Sequence, residues 1–134
     1  GVPGIDPKDF RSEIYLECEA KDGKIVMPPK SFILARINEY IRMPPNALAL
    51  LLNKSTYARC GVTVTTTVME PGWHGEIVVE ITNDAPLPVV LYANEGIGQL
   101  IFLVGKPPKE HYGSRNSGVG GKYQGQRGIT EPKV

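Results

Sequence analysis

Turn-forming residues interrupt this chain at short intervals, and that spacing limits the folds it can adopt. Twelve Pro and 15 Gly occur in 134 residues, many of them in Pro-Pro, Pro-Gly or Asn/Asp-containing clusters. The apolar segments between the clusters recur at roughly ten-residue spacing and are too short for long helices. Several short strands spaced in this way are typical of an all-β barrel or sandwich. We therefore predict an all-β domain with few helices.

Individual segments support this prediction. The Val/Thr alternation of residues 62–68 is the strongest strand signal in the chain. Residues 31–40 follow two prolines and favour a strand, with a helix as the alternative. Residues 13–20 alternate loosely, and the turn at 21–24 predicts a hairpin into a strand at 25–27. Further strands are predicted at 76–82, 88–92 and 97–104.

The composition changes after Gly105. Residues 113–128 are rich in Gly and polar side chains, with no apolar period and little β-branching. Such a segment buries too little apolar surface to form a core of its own. We therefore predict a compact core at residues 1–105 and a flexible C-terminal arm at residues 106–134.

Charge, cysteine content and hydropathy argue against several classes of function. The formal net charge of +1 leaves no basic surplus of the kind that nucleic-acid binding requires, so an anionic ligand would need a local cluster of cations. Cys18 and Cys60 are the only thiols, and neither has metal-ligand spacing around it, which favours two reduced thiols in a cytoplasmic protein. No stretch approaches 18 apolar residues and no signal peptide is visible, so no membrane partner is expected.

Four patches carry side chains suited to binding or chemistry. The first places Lys54, Ser55, Thr56 and Arg59 within six residues. Two cations and two hydroxyls at this spacing can hold phosphate oxygens through charge-assisted hydrogen bonds. A capped helical turn beginning at Ser55 or Thr56 is the alternative interpretation.

The second patch runs from Glu70 into an apolar strand that contains Glu80. A carboxylate is depleted in strands and costly to bury unpaired. The period of two places Val78, Glu80 and Thr82 on one face, opposite the intervening apolar residues. Glu80 is therefore either a functional group or a residue of the solvent face, and His74 is either part of a site or an exposed turn residue.

The third and fourth patches offer amides, cations and an aromatic ring. Gln99, in residues 96–100, could hydrogen-bond a ligand or the backbone of a neighbouring strand. Residues 120–128 carry two cations, two amides and one aromatic side chain on a Gly-rich backbone. Such a segment suits closure over a nucleotide, and a disordered polar tail is the alternative.

Taken in order, these patches resemble the dCTP deaminases. The resemblance covers nearly the whole chain and is carried by KSTYARCG, EPGWHGEIVVE, YANEGIGQLIF and KYQGQRG, with IDPKDF and MPPKSFILARINEY upstream. It implies a distorted, dUTPase-like β-barrel of the β-clip type, with an arm that covers the nucleotide and active sites between the subunits of a homotrimer. It also implies hydrolysis of the cytosine amine of dCTP, which gives dUTP and ammonia in pyrimidine deoxynucleotide metabolism.

The resemblance assigns roles to individual residues. Glu80, which ends the G-x-I-x-x-E strand, would activate a water for attack on cytosine C4 and then return protons to the departing ammonia. Ser55 and Arg59 would lie near the base and orient the water, as the other catalytic residues. The nucleotide-binding residues that it implies are Lys54, Ser55, Thr56, Arg59, Glu70, Val78, Gln99, Tyr112, Lys122 and Gln126.

The implied mechanism uses no protein-bound metal. Zinc deaminases need a His or Cys together with a Pro-Cys-x-x-Cys pair, which the isolated Cys18 and Cys60 cannot supply. Mg²⁺ is expected only on the triphosphate oxygens.

Some alternatives stay open. In related dUTPases an Asp at the position of Glu70 activates water for pyrophosphate cleavage, and the longer Glu argues against that second activity. A bifunctional enzyme that also gives dUMP and pyrophosphate is nevertheless one alternative, and a non-catalytic nucleotide-binding relative is another. The resemblance adds dTTP as a candidate inhibitor. Family members carry a further N-terminal segment with a Tyr-Asp-Val strand motif, so the chain is expected to be either a fragment or a natural short relative.

Overall fold

A computed structural model describes residues 4–11, 15–118 and 120–133. Within these residues every helix is short, of three or four residues, so the predicted all-β class with few helices is confirmed. The elements are β1 (Lys24–Met27), β2 (Phe32–Arg42), β3 (Ala47–Asn53), α1 (Ser55–Ala58), β4 (Val62–Thr65), β5 (His74–Asn83), β6 (Val89–Tyr92), β7 (Gly98–Val104), a 3₁₀ turn (Tyr112–Ser114) and α2 (Arg115–Gly118).

The strands pair in antiparallel fashion and form three small sheets. β5 lies between β2 and β4, β1 pairs with β6, and β3 pairs with β7. All three sheets contribute to one hydrophobic core, whose buried side chains include Met27, Ala49, Val64, Ile81 and Leu91. The core therefore lies between the sheets, and each sheet buries one face against it.

No hydrogen-bonded ladder closes the predicted barrel in the described part of the chain. β2 pairs only with β5 there, and β7 pairs only with β3, so the sheets keep open edges. The prolines at 28–29 and 44–45 supply no backbone N–H and lie where the chain passes from one sheet to the next. The strands on either side of these prolines, β1, β2 and β3, therefore enter three different sheets instead of continuing one ladder.

The N-terminal hairpin is formed only in part. The turn is present, with hydrogen bonds in both directions between Lys21 and Lys24 (3.0 and 2.9 Å) and positive φ at Asp22 (50°) and Gly23 (70°). This is the geometry of a two-residue hairpin turn. The strand predicted at 13–20, before this turn, is wrong for residues 15–20, which form no strand. Residues 12–14 lie outside the described residues. β1 pairs with β6 instead, which buries Met27 completely.

β5 has the predicted alternation. Gly75, Ile77, Val79 and Ile81 are buried, while Glu80 and its neighbours at even positions face the other side of the sheet and, except for the buried Val78, are only partly buried. The strand continues to Asn83, whose buried side-chain amide donates to the carbonyls of Met27, Pro28 and Leu87 at 3.1, 3.0 and 2.9 Å. These bonds satisfy a polar group inside the core and join β1 to the end of β5.

The segment after β7 packs back on the beginning of β5. Gly125 donates its N–H to the carbonyl of His74 (2.8 Å), and Glu76 donates its N–H to the carbonyl of Gln126 (3.1 Å). The indole N–H of Trp73 donates to the carbonyl of Tyr123 at 3.0 Å. The predicted boundary at residue 105 and the flexibility of the arm stay predictions. Residues 1–3 and 12–14 of the predicted core and residues 119 and 134 of the predicted arm lie outside the described residues. None of the described helices has the length and apolar character needed to cross a membrane.

Candidate active site

A cleft of about 900 Å³ lies between the outer face of the β2–β5–β4 sheet and the C-terminal segment. Its size is that of a small-molecule site. The sheet contributes Leu34, Val78 and Glu80, and the loop before β5 contributes Thr66 and Glu70. The C-terminal segment supplies the opposite wall, with Tyr112, Arg115, Lys122, Tyr123 and Gln126.

Glu80 is the carboxylate of the sheet wall. In register it faces Leu34 of β2 and Thr65 of β4, so its side chain stands on the outer face of the central strand. Burial raises the pKa of the Glu80 carboxyl, and a hydrogen bond from its own backbone N–H opposes part of this rise. Burial, followed by the charges of Glu131 and Glu80, also raises the pKa of Tyr15, which lines the same cleft. A carboxyl group with a raised pKa is suited to both taking up and releasing a proton near neutral pH.

Glu70 lies on the loop side of the cleft and is held by Arg115. The two guanidinium nitrogens approach its two oxygens at 2.6 and 3.4 Å. The guanidinium also lies 5.2 Å from the centre of the Tyr112 ring. Both partners are partly exposed, 45% for the Arg115 side chain and 35% for that of Glu70, so solvent weakens the pair.

The predicted binding residues of the arm line the cleft, and each of their polar ends has a partner. The Tyr112 hydroxyl accepts the N–H of Tyr123 at 2.9 Å. The Lys122 ammonium donates to the carbonyl of Lys133 at 3.2 Å. The Gln126 amide donates to the carbonyl of Glu76 at 2.6 Å. The Lys122 ammonium keeps further N–H donors, and the Gln126 side chain keeps its amide oxygen, for contact with a nucleotide.

The first patch forms the predicted helical turn on the surface. α1 begins at Ser55, and no side-chain hydrogen bond caps it, so the capped form of the turn is wrong. Tyr57 is buried beneath the turn, whereas Ser55 and Arg59 are exposed. The side-chain amide of Asn53, just before the turn, holds β4, which follows it: the amide donates to the carbonyl of Val62 (3.0 Å) and accepts the N–H of Val64 (2.7 Å). The turn therefore presents its hydroxyls and cations outwards.

The structure separates the predicted site residues into two groups. The cleft contains Glu70, Val78, Glu80, Tyr112, Lys122 and Gln126. The second group lies outside the lining of the cleft and consists of Lys54, Ser55, Thr56, Arg59 and Gln99. Gln99 is exposed, and its amide donates to the carbonyl of Asn53 at 3.4 Å, which is the neighbouring-strand contact considered from the sequence. Within one chain, Ser55 and Arg59 are thus not brought to Glu80.

Sequence patterns missed several residues of the site. Arg115 is a single cation in a polar segment, and no local pattern relates it to Glu70. Tyr15 lies within the loosely alternating segment at the N-terminus, which indicated no site. Glu76, which lies beside the cleft and outside its lining, could have been found, because it shares the period of two that places Val78 and Glu80 on one face. The exposed-turn interpretation of His74 is wrong, since its ring nitrogen Nδ1 lies 2.6 Å from the Tyr40 hydroxyl in a partly buried contact.

The side chains that could bind a metal ion are dispersed in the described part of the chain. Among residues 4–11, 15–118 and 120–133, no three His, Cys, Asp or Glu side chains are grouped so that they could hold a metal ion. Cys18 and Cys60 are both free and exposed.

Known proteins are similar to this chain over nearly its whole length. A protein named dCTP deaminase from Gemmatimonas aurantiaca is 47% identical over 131 residues, which cover 97% of this chain and 68% of the relative. One from Helicobacter hepaticus is 49% identical over 136 residues, which cover 100% of this chain and 70% of the relative. Both relatives are thus longer than this chain.

Family and fold comparisons point the same way. The structure of native EIAV dUTPase superposes with a TM-score of 0.57 at 25% identity, over 65% of this chain and 72% of the other. This likeness confirms a dUTPase-like fold. A family model described as dCTP deaminase-like matches residues 4–104. Together with the identity to the named relatives, the match shows that the chain belongs to the dCTP deaminase-like family.

Proposed function

We propose that this chain hydrolyses dCTP to dUTP and ammonia, in the metabolism of pyrimidine deoxynucleotides. The observation that carries the proposal is Glu80, a partly buried carboxyl with a raised pKa on the wall of a nucleotide-sized cleft. The family membership and the identity to proteins named dCTP deaminase support the choice of substrate.

The proposed chemistry needs one group that first removes and then returns protons. The Glu80 carboxylate takes a proton from water, whose oxygen attacks C4 of the cytosine ring. The resulting tetrahedral carbon then expels the amino group, to which Glu80 delivers the proton, so that one water is consumed for each ammonia released. Because burial raises the pKa of Glu80, its protonated form is favoured, which suits Glu80 to act as the acid in the second step.

Ser55 and Arg59 are proposed to reach Glu80 from a neighbouring copy of the chain. Their exposure on the surface turn α1 supports this arrangement. Lys54 and Thr56 would enter the same neighbouring site with them and hold phosphate oxygens. A shared site of this kind is proposed to form in a homotrimer, in which the open sheet edges would also be covered and the barrel completed.

Strand β7 supports such an assembly. Ile101, Phe102, Leu103 and Val104 are exposed by 44%, 55%, 51% and 74%, although they alternate between the two faces of the strand. Four successive apolar side chains exposed on both faces are unusual for a monomer and typical of a surface that another chain covers.

The arm and the phosphate-binding residues form the remaining part of the proposal. Residues 106–134, of which 119 and 134 lie outside the described part, would cover the triphosphate through Lys122 and Gln126. The ammonium groups of Lys54 and Lys122 suit phosphate oxygens. Mg²⁺ would be bound by the triphosphate oxygens and not by a cage of protein ligands. Water activation by Glu80 requires no zinc. dTTP, another pyrimidine deoxynucleoside triphosphate, would compete for this cleft, and the exposed thiols of Cys18 and Cys60 suit a reducing cytoplasm.

A second candidate is the bifunctional reaction, in which dUTP is cleaved further to dUMP and pyrophosphate. It is favoured by the presence of a second carboxylate, Glu70, in the same cleft. Its pairing with Arg115 at 2.6 Å leaves it less available as a base, so dUTP is the expected product.

Product analysis tests the proposal and separates it from both alternatives. The protein is incubated with dCTP and Mg²⁺, without zinc, while ammonia and nucleotides are quantified. Accumulation of dUTP with an equal amount of ammonia supports deamination. Formation of dUMP and pyrophosphate would assign the bifunctional reaction, and nucleotide binding without any product would assign a binding protein.

A further inference from the structure

We infer that Glu76 is a positioning residue, whose carboxylate anchors residues 122–128 against β5 so that Lys122 and Gln126 face the cleft. This inference rests on the proposed deamination for its kinetic consequences, although the anchoring itself does not depend on that activity. Glu76 lies outside the lining of the cleft within the described residues, so it would act through the segment and not on the substrate.

The Glu76 carboxylate joins three parts of the chain. Its Oε2 accepts the backbone N–H of Gly128 at 2.6 Å, and its Oε1 accepts a guanidinium N–H of Arg127 at 3.3 Å. From the other side, Arg36 of β2 approaches Oε2 at 3.6 Å. The Glu76 side chain is only 13% exposed, so solvent screens these contacts less than those of an open surface pair.

The backbone of Glu76 adds two more bonds to the same segment. Its N–H donates to the carbonyl of Gln126 at 3.1 Å, and its carbonyl accepts the Gln126 side-chain amide at 2.6 Å. Gln126 is thereby fixed beside a strand that also carries Glu80, four residues further along the same face. The position of a predicted ligand-binding residue is therefore tied to the position of the proposed base.

The electrostatic environment keeps the anchor charged. The hydrogen bond from the Gly128 N–H is the largest influence on the pKa of Glu76 and lowers it. Burial acts in the opposite direction, whereas the hydrogen bond and charge of Arg127 and the charge of Arg36 lower the pKa further. The carboxylate is consequently ionised at neutral pH, and hydrogen bonds to an ionised group are the stronger kind.

The anchored segment needs such a restraint. Gly125 and Gly128 both have positive φ, 70° and 66°, and the Gly-rich composition gives the free chain many alternative conformations. Arg127 also lies 4.1 Å from the centre of the Tyr40 ring, which directs its guanidinium towards Glu76. Loss of the carboxylate would leave the Gly128 N–H and the Arg127 guanidinium without this acceptor. The segment would then be held mainly by backbone hydrogen bonds.

The test compares Glu76→Ala, Glu76→Gln and Glu39→Ala in the protein with dCTP and Mg²⁺. Glu39 is an exposed glutamate of β2, so its variant controls for the loss of one negative charge. For Glu76→Ala we expect KM for dCTP to rise by about tenfold, with a smaller change in kcat, since bonds to charged groups contribute about that much. Glu76→Gln should fall between Ala and wild type, because its amide oxygen still accepts the Gly128 N–H. Glu39→Ala should stay within about twofold.

Trp73 provides a readout that is independent of activity. It is the only tryptophan of the chain, and its indole N–H bonds the Tyr123 carbonyl of the anchored segment. We expect a red-shifted emission for Glu76→Ala without nucleotide, together with faster tryptic cleavage after Lys122 and Arg127. The control variant should match wild type in both measurements.

The outcomes are separable. Unchanged emission, cleavage and KM in a folded Glu76→Ala protein would overturn the inference, and so would a fall in kcat alone. If wild type turns over no dCTP but the emission shifts as expected, the proposed function fails while the anchoring stands. Should Glu76→Ala not fold, Glu76→Gln and Arg127→Ala replace it, since the Arg127 side chain is 69% exposed and its removal leaves the core intact.

Discussion

Glu76 and Glu80 stand four residues apart on the same face of β5, yet their surroundings change their pKa values in opposite directions. The N–H of Gly128 lowers the pKa of Glu76, whereas burial raises that of Glu80. One strand therefore presents a carboxylate that stays charged and anchors the arm, and another carboxyl whose protonated form burial favours. In the described part of the chain, donors from the C-terminal segment reach the carboxylate of Glu76 and not that of Glu80, so two residues of the same type have different environments.

The proposed role of Glu80 predicts a large and selective effect of its replacement. Glu80→Gln keeps the size of the side chain and its ability to form hydrogen bonds but removes the basic oxygen. We expect kcat to fall by about two to four orders of magnitude, the usual contribution of a positioned acid–base group, while KM changes little. Steady-state assays of ammonia release would measure this, and a variant as active as the parent would sink the proposed mechanism.

The same pair of glutamates predicts opposite effects of pH on stability. Because the pKa of Glu80 is raised on folding, the native state holds that proton more tightly, and wild type loses this contribution as pH rises through the folded pKa. Glu80→Gln should therefore be more stable than wild type at neutral pH and lose that advantage below the unfolded pKa of about 4.3.

Glu76 should behave in the reverse way. Its folded pKa is lowered, so its ionised form stabilises the native state above the unfolded value, and this contribution disappears as pH falls through the folded pKa. Glu76→Gln should be less stable than wild type at neutral pH and approach it in acid. Thermal denaturation of both variants and wild type across pH 3 to about 8 checks the two signs together. If the difference in stability from wild type changed with pH in the same direction for both variants, the opposite pKa shifts assigned to Glu76 and Glu80 would be contradicted.

Gly75 lets the arm pack closely against β5, because it has no side chain. A Cβ at this position would lie 2.8 Å from the Trp73 ring and 3.2 Å from the Gln126 nitrogen. Gly75→Ala should therefore displace the segment, shift the Trp73 emission to the red and raise KM for dCTP. Gly105→Ala is the matched control, because a Cβ there meets no atom within 4 Å. Equal emission and KM in the two variants would show that the arm does not depend on this contact.

Local sequence patterns were sufficient to predict the parts of the fold that depend on residues close together in the sequence. The alternation of Ile77 and Val79 with Glu80 predicted which face of β5 enters the core, and the Asp22-Gly23 turn was predicted from its residue types. Contacts between distant segments left no such signal. The bond from Gly125 to His74 joins residues 51 positions apart, and nothing in the Gly-rich composition indicates where that segment docks.

The location of the first patch shows a different limit. KSTYARCG predicted both a helical turn and a binding role, and the turn is present at α1. Its distance from the cleft could not be predicted, because Lys54 and Arg59 are placed by the packing of Tyr57 and by the Asn53 amide, not by their own side chains. A residue pattern describes what a site requires, whereas in the proposed trimer the assembly would determine which copy of the chain supplies it.

Mixing two inactive variants tests whether the site is shared between copies. Glu80→Gln removes the base from the cleft, and Arg59→Ala removes an exposed guanidinium of the surface turn. If Glu80 of one chain works with Arg59 of its neighbour, each variant alone is inactive, but a mixed trimer contains some sites with both wild-type residues. Random assembly of equal amounts places the two intact residues together in about one quarter of the sites, as the product of two independent choices in a cyclic interface.

The two variants are therefore unfolded together, refolded together and assayed for ammonia release. We expect about one quarter of the wild-type rate from the mixture. Each variant refolded alone should give only its residual rate, which controls for the refolding step. A mixture no more active than the two variants measured separately would mean that Glu80 and Arg59 serve the same subunit's site, and the arm or the loop would then have to move to bring them together. Recovery near one quarter would instead explain why a single chain exposes its hydroxyls and guanidinium on α1 while its own cleft holds the base.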